Sequence, residues 1–172
     1  SESPGVYGLA VRTTAVGLND DLVDALFAHR VDILNVILDA WTPDTYARLQ
    51  SPANPQGGID LAAADLDLVL RSFDRLCEAR EKRNTVHPII VPEFTKAQEN
   101  VHELDEFYDG WLRKLGAVTI NGYTHYAGQL PDRAVIRMAP SARSACRRIQ
   151  QRCLVLADGR VTFCDQDFLG RH

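Results

Sequence analysis

Short apolar runs alternate with amphipathic stretches over the first three-quarters of the chain, and this alternation constrains the fold more than any other feature of the sequence. The runs are rich in β-branched residues and end at polar or turn-forming residues, which predicts buried strands. Strands that alternate with helices form parallel βα units, either in an open doubly wound sheet or in a sector of a barrel. We therefore expect an α/β fold with four parallel strands, at residues 6–13, 32–39, 88–94 and 117–123.

The stretches between the strands carry apolar residues at three- and four-residue steps, the spacing of a helix with one buried face. Pro43 is expected to open a short helix after the second strand. Residues 51–60 indicate a loop by composition, and Pro92 predicts that the third strand ends or bulges there. Two longer helices are expected over residues 66–77 and about 100–115.

Beyond Gly128 the alternation stops, and a different small structure is expected. The Asp158-Gly159 pair separates two short apolar runs, which indicates a β-hairpin with a type I′ turn, a turn that needs positive φ at both central positions. We therefore predict two domains. The first, at residues 1–140, is a partial (β/α) TIM-like barrel of about four units, and the second, at residues 141–172, carries an antiparallel hairpin.

Charge and composition exclude several classes of protein. The net charge of −4 gives no general attraction for phosphate backbones, so we expect no nucleic-acid partner and assign the arginines at 143, 147, 148 and 152 to a solvated helix face. No stretch approaches the roughly 20 apolar residues that cross a bilayer, so we expect no membrane association and a cytoplasmic location. The four cysteines are expected as reduced thiols or metal ligands. The abrupt ends of the sequence indicate a fragment of a longer protein.

The predicted hairpin lies inside a specific cysteine spacing. Cys146 is followed by twelve residues, Gly159, four further residues and Cys164. This stretch resembles the opening of a SPASM domain, an iron–sulfur domain found in some radical S-adenosylmethionine (SAM) enzymes. The resemblance implies that Cys146 and Cys164 are two ligands of an auxiliary 4Fe–4S cluster. Cys153 lies outside this pattern and is expected in a buried strand, with a zinc site as the less favoured alternative.

The elements before the hairpin resemble the barrel of the same enzymes. Residues 31–49 are similar to its fourth strand and the following helix entry, residues 89–122 look like its fifth and sixth strands, and the opening segment resembles its third. Barrels place their chemistry at the carboxyl ends of the strands, where the resemblance implies a SAM pocket. The residues to which it assigns cofactor contacts are Thr13, Asn35, Glu93, Asn121 and, near the adenine, Gly122.

The sequence also departs from the family's pattern. The CxxxCxxC loop that holds the catalytic cluster is absent, as is the glycine-rich turn after the family's second strand. Ala15-Val16 stands where the family has an Asn-Gly pair, and Ile37 stands where it often has serine. We therefore expect this chain alone to be inactive and to hold no cofactor, and we assign no catalytic residue.

For the parent protein, the resemblance implies cleavage of SAM by a 4Fe–4S cluster. The resulting 5′-deoxyadenosyl radical would act on a substrate, which is a peptide or protein in many relatives. Two other functions fit the same residues. Glu93 and Asp39, each at a strand end, would suit the acid and base of a TIM-barrel hydrolase. A non-enzymatic binding module is the other alternative, and an exposed edge at the first strand would then favour a homodimer.

Overall fold

The computed structural model describes residues 7–50, 66–136, 145–167 and 169–170. The chain divides into two compact units, Ser1–Asn121 and Gly122–His172. The domain boundary predicted between residues 140 and 141 and the loop predicted at 51–60 lie outside the described residues. Within these described ranges, no helix is long and apolar enough to cross a membrane.

The first unit is built on a four-stranded parallel sheet with the strand order β1-β2-β3-β4, so the predicted α/β class is confirmed. Every neighbouring pair of strands is therefore also consecutive in the chain. A short 3₁₀ turn at Val101–Glu103 leads into the last helix. The elements in chain order are β1 (Ala10–Thr13), α1 (Asp20–Ala28), β2 (Ile33–Ile37), α2 (Pro43–Gln50), α3 (Leu66–Lys82), β3 (Ile89–Lys96), α4 (Leu104–Leu115) and β4 (Thr119–Gly122).

One face of the sheet is buried by helices. Leu34 pairs in register with Ile90, and both side chains belong to a core that includes residues of α1, α3 and α4. Aromatic rings fill the space between the sheet and helices α3 and α4. The ring centroids of Phe94 on β3 and Phe107 on α4 are 4.8 Å apart. Phe73 lies 4.6 Å from Trp111 in the same way. Tilted aromatic pairs at such distances add to the free energy gained from burial alone.

Among the described residues, the opposite face of the sheet is only partly covered, and we call it the open face. Side chains alternate between faces along a strand. Ile33 and Asn35 therefore lie on this face, together with the residues that pair with them on β1 and β3. Ile33 and Ile89 pair with each other, and they remain 38% and 43% exposed. A doubly wound sheet carries helices on both faces, whereas the helices that contribute to this core pack on one.

Proline does not interrupt the third strand, so the predicted break at Pro92 is wrong. β3 continues to Lys96, and Pro92 pairs in register with Val36. The next residue keeps the ladder intact, because the carbonyl of Glu93 accepts the amides of Leu38 and Asp39 at 3.1 and 3.3 Å. A proline is tolerated here because the hydrogen bonds to β2 are made by its neighbour.

The second unit contains the predicted antiparallel hairpin. A short helix, α5 (Arg148–Gln151), precedes β5 (Leu154–Val155) and β6 (Val161–Thr162). The predicted type I′ turn is wrong, because Gly159 has positive φ (85°) and Asp158 does not. The Gly159 amide donates to the carbonyl of Leu156 at 2.9 Å, and the Leu156 amide donates to the carbonyl of Arg160 at 2.8 Å. This is a three-residue turn that ends in a left-handed glycine.

The aromatic core predicts a large difference between two adjacent residues of α4. Phe107→Ala should lower the free energy of unfolding by about 3–5 kcal/mol, because Phe107 is fully buried and the surrounding rings cannot collapse into the space. Tyr108→Ala is the matched control, since Tyr108 is 43% exposed and should change stability by less than about 1 kcal/mol. Urea unfolding of both variants measures the difference, and equal losses would contradict this account of the core.

Candidate functional site

Three polar side chains meet on the open face of the sheet, each from a different strand. Arg12 on β1 donates from Nε to both carboxylate oxygens of Glu93 on β3, at 2.9 and 2.8 Å. Its Nη2 donates to Glu93 Oε1 at 2.5 Å. Asn121 on β4 donates from Nδ2 to the same oxygen. We call Arg12, Glu93 and Asn121 the polar triad.

The register explains why the triad forms. Arg12 is level with Asn35 on β2, and Glu93 is level with Ile37, one pleat further along. Arg12 therefore reaches across the whole of β2 to the strand beyond. Glu93 is 3% exposed, and a carboxylate buried to that degree needs charge-assisted hydrogen bonds to offset its lost hydration. The guanidinium group satisfies this need while half of its own side chain stays in solvent.

Asp39 adds a second carboxylate just beyond β2. It has φ of 56°, which is uncommon for a residue other than glycine, and its Oδ1 accepts the amide of Thr95 at 2.6 Å. Burial raises the pKa of Asp39 to about 6, partly offset by the hydrogen bonds from Thr95, while the nearby charges of Glu93 and Arg12 act in opposite directions. An acid with this pKa exchanges its proton close to neutral pH.

Two buried residues after β3 hold the loop that carries Asp39. Asn100, 1% exposed, donates from Nδ2 to the carbonyls of Asp39 and Thr95 at 2.7 and 3.0 Å. Glu103, 6% exposed, accepts the amides of Trp41 and Thr42 at 2.7 and 3.2 Å and the hydroxyl of Thr42. Burial alone would raise the pKa of Glu103, but these hydrogen bonds outweigh it and lower the pKa overall.

The structure brings two of the sequence-predicted residues into direct contact, namely Glu93 and Asn121. Asn35 lies on the same face, level with Arg12, and Gly122 ends β4. Thr13 pairs with Val36, a core residue, so it lies on the helix-covered face, and its hydroxyl accepts the amide of Ala15 at 3.0 Å.

Sequence reasoning missed Arg12, Asn100 and Glu103. A charged residue inside an apolar strand is a signal for Arg12, because such a residue needs a partner in the sheet. Asn100 and Glu103 gave no comparable signal, since polar residues at the start of a helix are common caps and need no further partner. Their partners in the loop after β2 are about sixty positions away in sequence, which only the folded chain reveals.

The second unit places the predicted cluster ligands near its hairpin. Cys146 and Cys153 are exposed and Cys164 is half-buried, and all three are free thiols. The backbone amide of Gln166 donates to Cys164 Sγ at 3.4 Å. The described residues contain no group of three or more His, Cys, Asp or Glu side chains arranged to hold a metal ion. Cys153 precedes β5 and is exposed, so its predicted burial in a strand is wrong.

A separate cleft of about 250 Å³ lies on the helix side of the first unit, between α3 and α4. Its walls are mainly apolar, and Lys114 and Asp74 form an ion pair of 2.8 Å there. Trp41 and Trp111, the two tryptophans of the chain, both line it. The described residues that line this cleft do not include Arg12, Glu93 or Asn121.

Comparisons with known proteins give little further guidance. No protein-family profile matches the chain, and no solved structure matches it. A protein of Treponema pallidum (strain Nichols), described as "Uncharacterized protein", is 35% identical over 101 residues. The match covers 56% of this chain and 28% of that relative, so the chain spans well under half of the relative's length.

The raised pKa of Asp39 predicts a pH-dependent stability effect. In the folded chain Asp39 titrates near pH 6, compared with about 3.9 when unfolded. Between those values the folded state binds more protons, so the contribution of Asp39 to the free energy of unfolding falls as pH rises from about 4 to 6. Asp39→Asn should therefore stabilise the chain at pH 7.5 by up to about 3 kcal/mol, and this gain should disappear below pH 4.

Denaturant unfolding at the two pH values measures this difference. Asp109→Asn, on the exposed side of α4, is the control and should show little change between them. If Asp39→Asn raises the free energy of unfolding equally at both pH values, the raised pKa of Asp39 is not the cause. The gain would then come from the better tolerance of asparagine for positive φ.

Proposed function

We propose that this chain is a segment of a radical SAM enzyme, comprising part of the barrel and the start of a SPASM-type iron–sulfur domain. The observation that carries the proposal is the polar triad on the uncovered face of a sequentially ordered parallel sheet. The cysteine spacing around the hairpin supports it independently. The Treponema relative, of which the match covers 28%, is compatible with a longer parent protein.

The architecture supports a sector of a barrel. In a (β/α) barrel, consecutive strands are neighbours, helices form the outer layer, and the inner face of the sheet lines the interior. The first unit has the same strand order and its helices bury one face of the sheet. On this reading, the side that bears Arg12 and Glu93 is the interior of the parent barrel, where further strands would cover Ile33 and Ile89.

The residues of the open face fit a polar, nucleoside-containing cofactor. Such a ligand needs hydrogen-bond donors and acceptors held in fixed positions by apolar surroundings. Glu93 is fixed by its two partners, and Asn35 lies beside Arg12 in register on the same face. We assign contacts with SAM to Asn35 and Asn121, and Glu93 holds Arg12 and Asn121 in position for the ligand. Thr13 is a weaker candidate, because its strand position directs it to the other face.

The hairpin cysteines fit as two of the four thiolate ligands of a 4Fe–4S cluster. The backbone amide of Gln166 donates to Cys164 Sγ, which orients this sulfur beside the hairpin. The remaining ligands would come from other parts of the parent protein. In the parent protein, the catalytic cluster would supply the electron that cleaves SAM. Glu93, Asn35 and Asn121 would orient SAM and exclude water from it.

Iron content tests the assignment of the cysteines. In the longer protein, purified and reconstituted without oxygen, Cys146→Ala and Cys164→Ala should each lower bound iron by about four atoms per chain. Cys153→Ala is the matched control, because Cys153 is also exposed and precedes the same hairpin. Unchanged iron in the first two variants, or an equal loss in the control, would remove the basis for the cluster.

The affinity for SAM tests the barrel assignment in the same preparation. Glu93→Gln should weaken SAM binding by at least about tenfold, because the amide disrupts the charge-assisted bonds to Arg12 and disorders the triad. Glu99→Gln, a change of the same size in the segment after β3, is the comparison. A protein that retains full SAM affinity after Glu93→Gln would contradict the proposed pocket.

One observation favours a second function. Asp39, with its pKa near 6, and Glu93 interact electrostatically, as the acid and base of a hydrolase do. The hydrogen bonds of Glu93 to Arg12 and Asn121 occupy its carboxylate and weigh against a free nucleophile or base. Hydrolysis of glycosides that is lost in Glu93→Gln and insensitive to iron chelation would select this alternative.

A further inference from the structure

We propose that Asn100 and Glu103 are positioning residues, which fix the loop after β2 so that the Asp39 carboxyl group stays beside the polar triad. We call these two residues the loop clamp. The inference rests on the proposed function, because it takes the face of the sheet that carries the polar triad as the ligand-binding face. The clamp lies behind the site, in the segment that connects β3 to α4.

Asn100 joins two backbone segments, residues 95–97 and the loop at Asp39, through one side-chain amide group. Its Oδ1 accepts the amide of Ala97 at 2.7 Å, which fixes the orientation of its own side chain. Its Nδ2 then donates to the carbonyls of Asp39 and Thr95. Thr95 in turn donates its amide to the carboxylate of Asp39. Both the backbone and the side chain of Asp39 are therefore tied, directly or through Thr95, to Asn100.

Glu103 holds the next two residues of the loop. One carboxylate oxygen accepts two consecutive amides, those of Trp41 and Thr42, and the other oxygen accepts the Thr42 hydroxyl group. Three hydrogen bonds satisfy this buried carboxylate, and Nε2 of His102 lies 3.8 Å from its Oε1. A structural helix cap would bond to the amides of its own helix, whereas Glu103 makes no such cap bond.

A third contact secures the same loop from the side. The indole of Trp41 packs against Gly110 in the middle of α4, where an added Cβ would lie 2.5 Å from the Trp41 ring. Glycine is unfavourable inside a helix, so its presence here is explained by the space that Trp41 occupies. The loop therefore has backbone and side-chain anchors on a single helix and its preceding turn.

The anchors matter because Asp39 has a strained backbone. Positive φ is disfavoured for aspartate and persists where the surroundings enforce it. The groups that influence the Asp39 carboxyl group come from several elements: Thr95, Glu93, Arg12 and the buried hydroxyl group of Tyr46 on α2. A loop released from the clamp would move the carboxyl group away from these neighbours and into water.

Titration of Asp39 in the whole chain tests the clamp without any cofactor. Carboxyl-carbon NMR should give a midpoint near 6 for the wild type. In Asn100→Ala and Glu103→Ala the midpoint should fall by at least one pH unit, toward the value of about 3.9 for a hydrated aspartate. Glu103→Gln, which keeps an acceptor for the two amides, should remain within half a unit of the wild type.

Asn19→Ala is the matched control for stability, because Asn19 caps α1 and its loss weakens the fold away from the loop. The clamp is supported if the midpoint falls in the two clamp variants and stays in the control. It is overturned if the clamp variants keep the wild-type midpoint, or if the control lowers it equally. Binding of SAM to the wild-type longer protein is measured separately. Its absence would reject the proposed function, and the titration would still decide whether the clamp positions Asp39.

Discussion

The burial of the Glu93 carboxylate is the constraint on which the open side of the sheet depends. A carboxylate that is 3% exposed in the middle of a parallel sheet is stable only with partners that offset its lost hydration. Arg12 and Asn121 supply them from strands on either side, so one carboxylate links β1, β3 and β4. An apolar residue at position 93 would be simpler for packing. The buried carboxylate therefore contributes little net stability, and its main structural effect is to fix the positions of Arg12 and Asn121 across the sheet.

The helices bury the face of the sheet opposite the polar triad, and the core on that side stabilises the fold. Phe94 of β3 packs on Phe107 of α4, and Phe73 of α3 packs on Trp111 of α4, so aromatic contacts join the sheet to α4 and the two helices to each other. Since that packing uses alternate residues of each strand, the intervening positions are available for polar groups. The one-sided core thus separates stability from chemistry. Substitutions in the triad should leave the helix-facing core intact, which makes their effects on binding interpretable.

The alternation of apolar and amphipathic segments was sufficient to predict the class of the first unit, its four strands and the order of its helices. It did not predict the contacts of the site, because periodicity reports which face a residue occupies and not which distant residue it meets. Thr13 illustrates the limit: it ends a strand as expected, yet the pleat directs it to the helix side. The hairpin was predictable from Asp158-Gly159, but its turn type was not. A type I′ turn needs positive φ at both residues, whereas here only Gly159 adopts it, and the dipeptide alone does not determine which of these occurs.

Backbone strain at two neighbouring strand ends indicates where a ligand would bind. Ala15 follows β1 with φ of 57°, and Asp39 follows β2 with φ of 56°, although neither is glycine. Thr13 holds the first turn through the amide of Ala15, and Asn100 holds the second through the carbonyl of Asp39. Strained residues of this kind concentrate at functional sites, where a fixed geometry matters more than the lowest backbone energy. Both turns lie at the carboxyl edge of the sheet, beside the polar triad, so the side-chain hydrogen bonds of Thr13 and Asn100 fix the backbone where two neighbouring strands end.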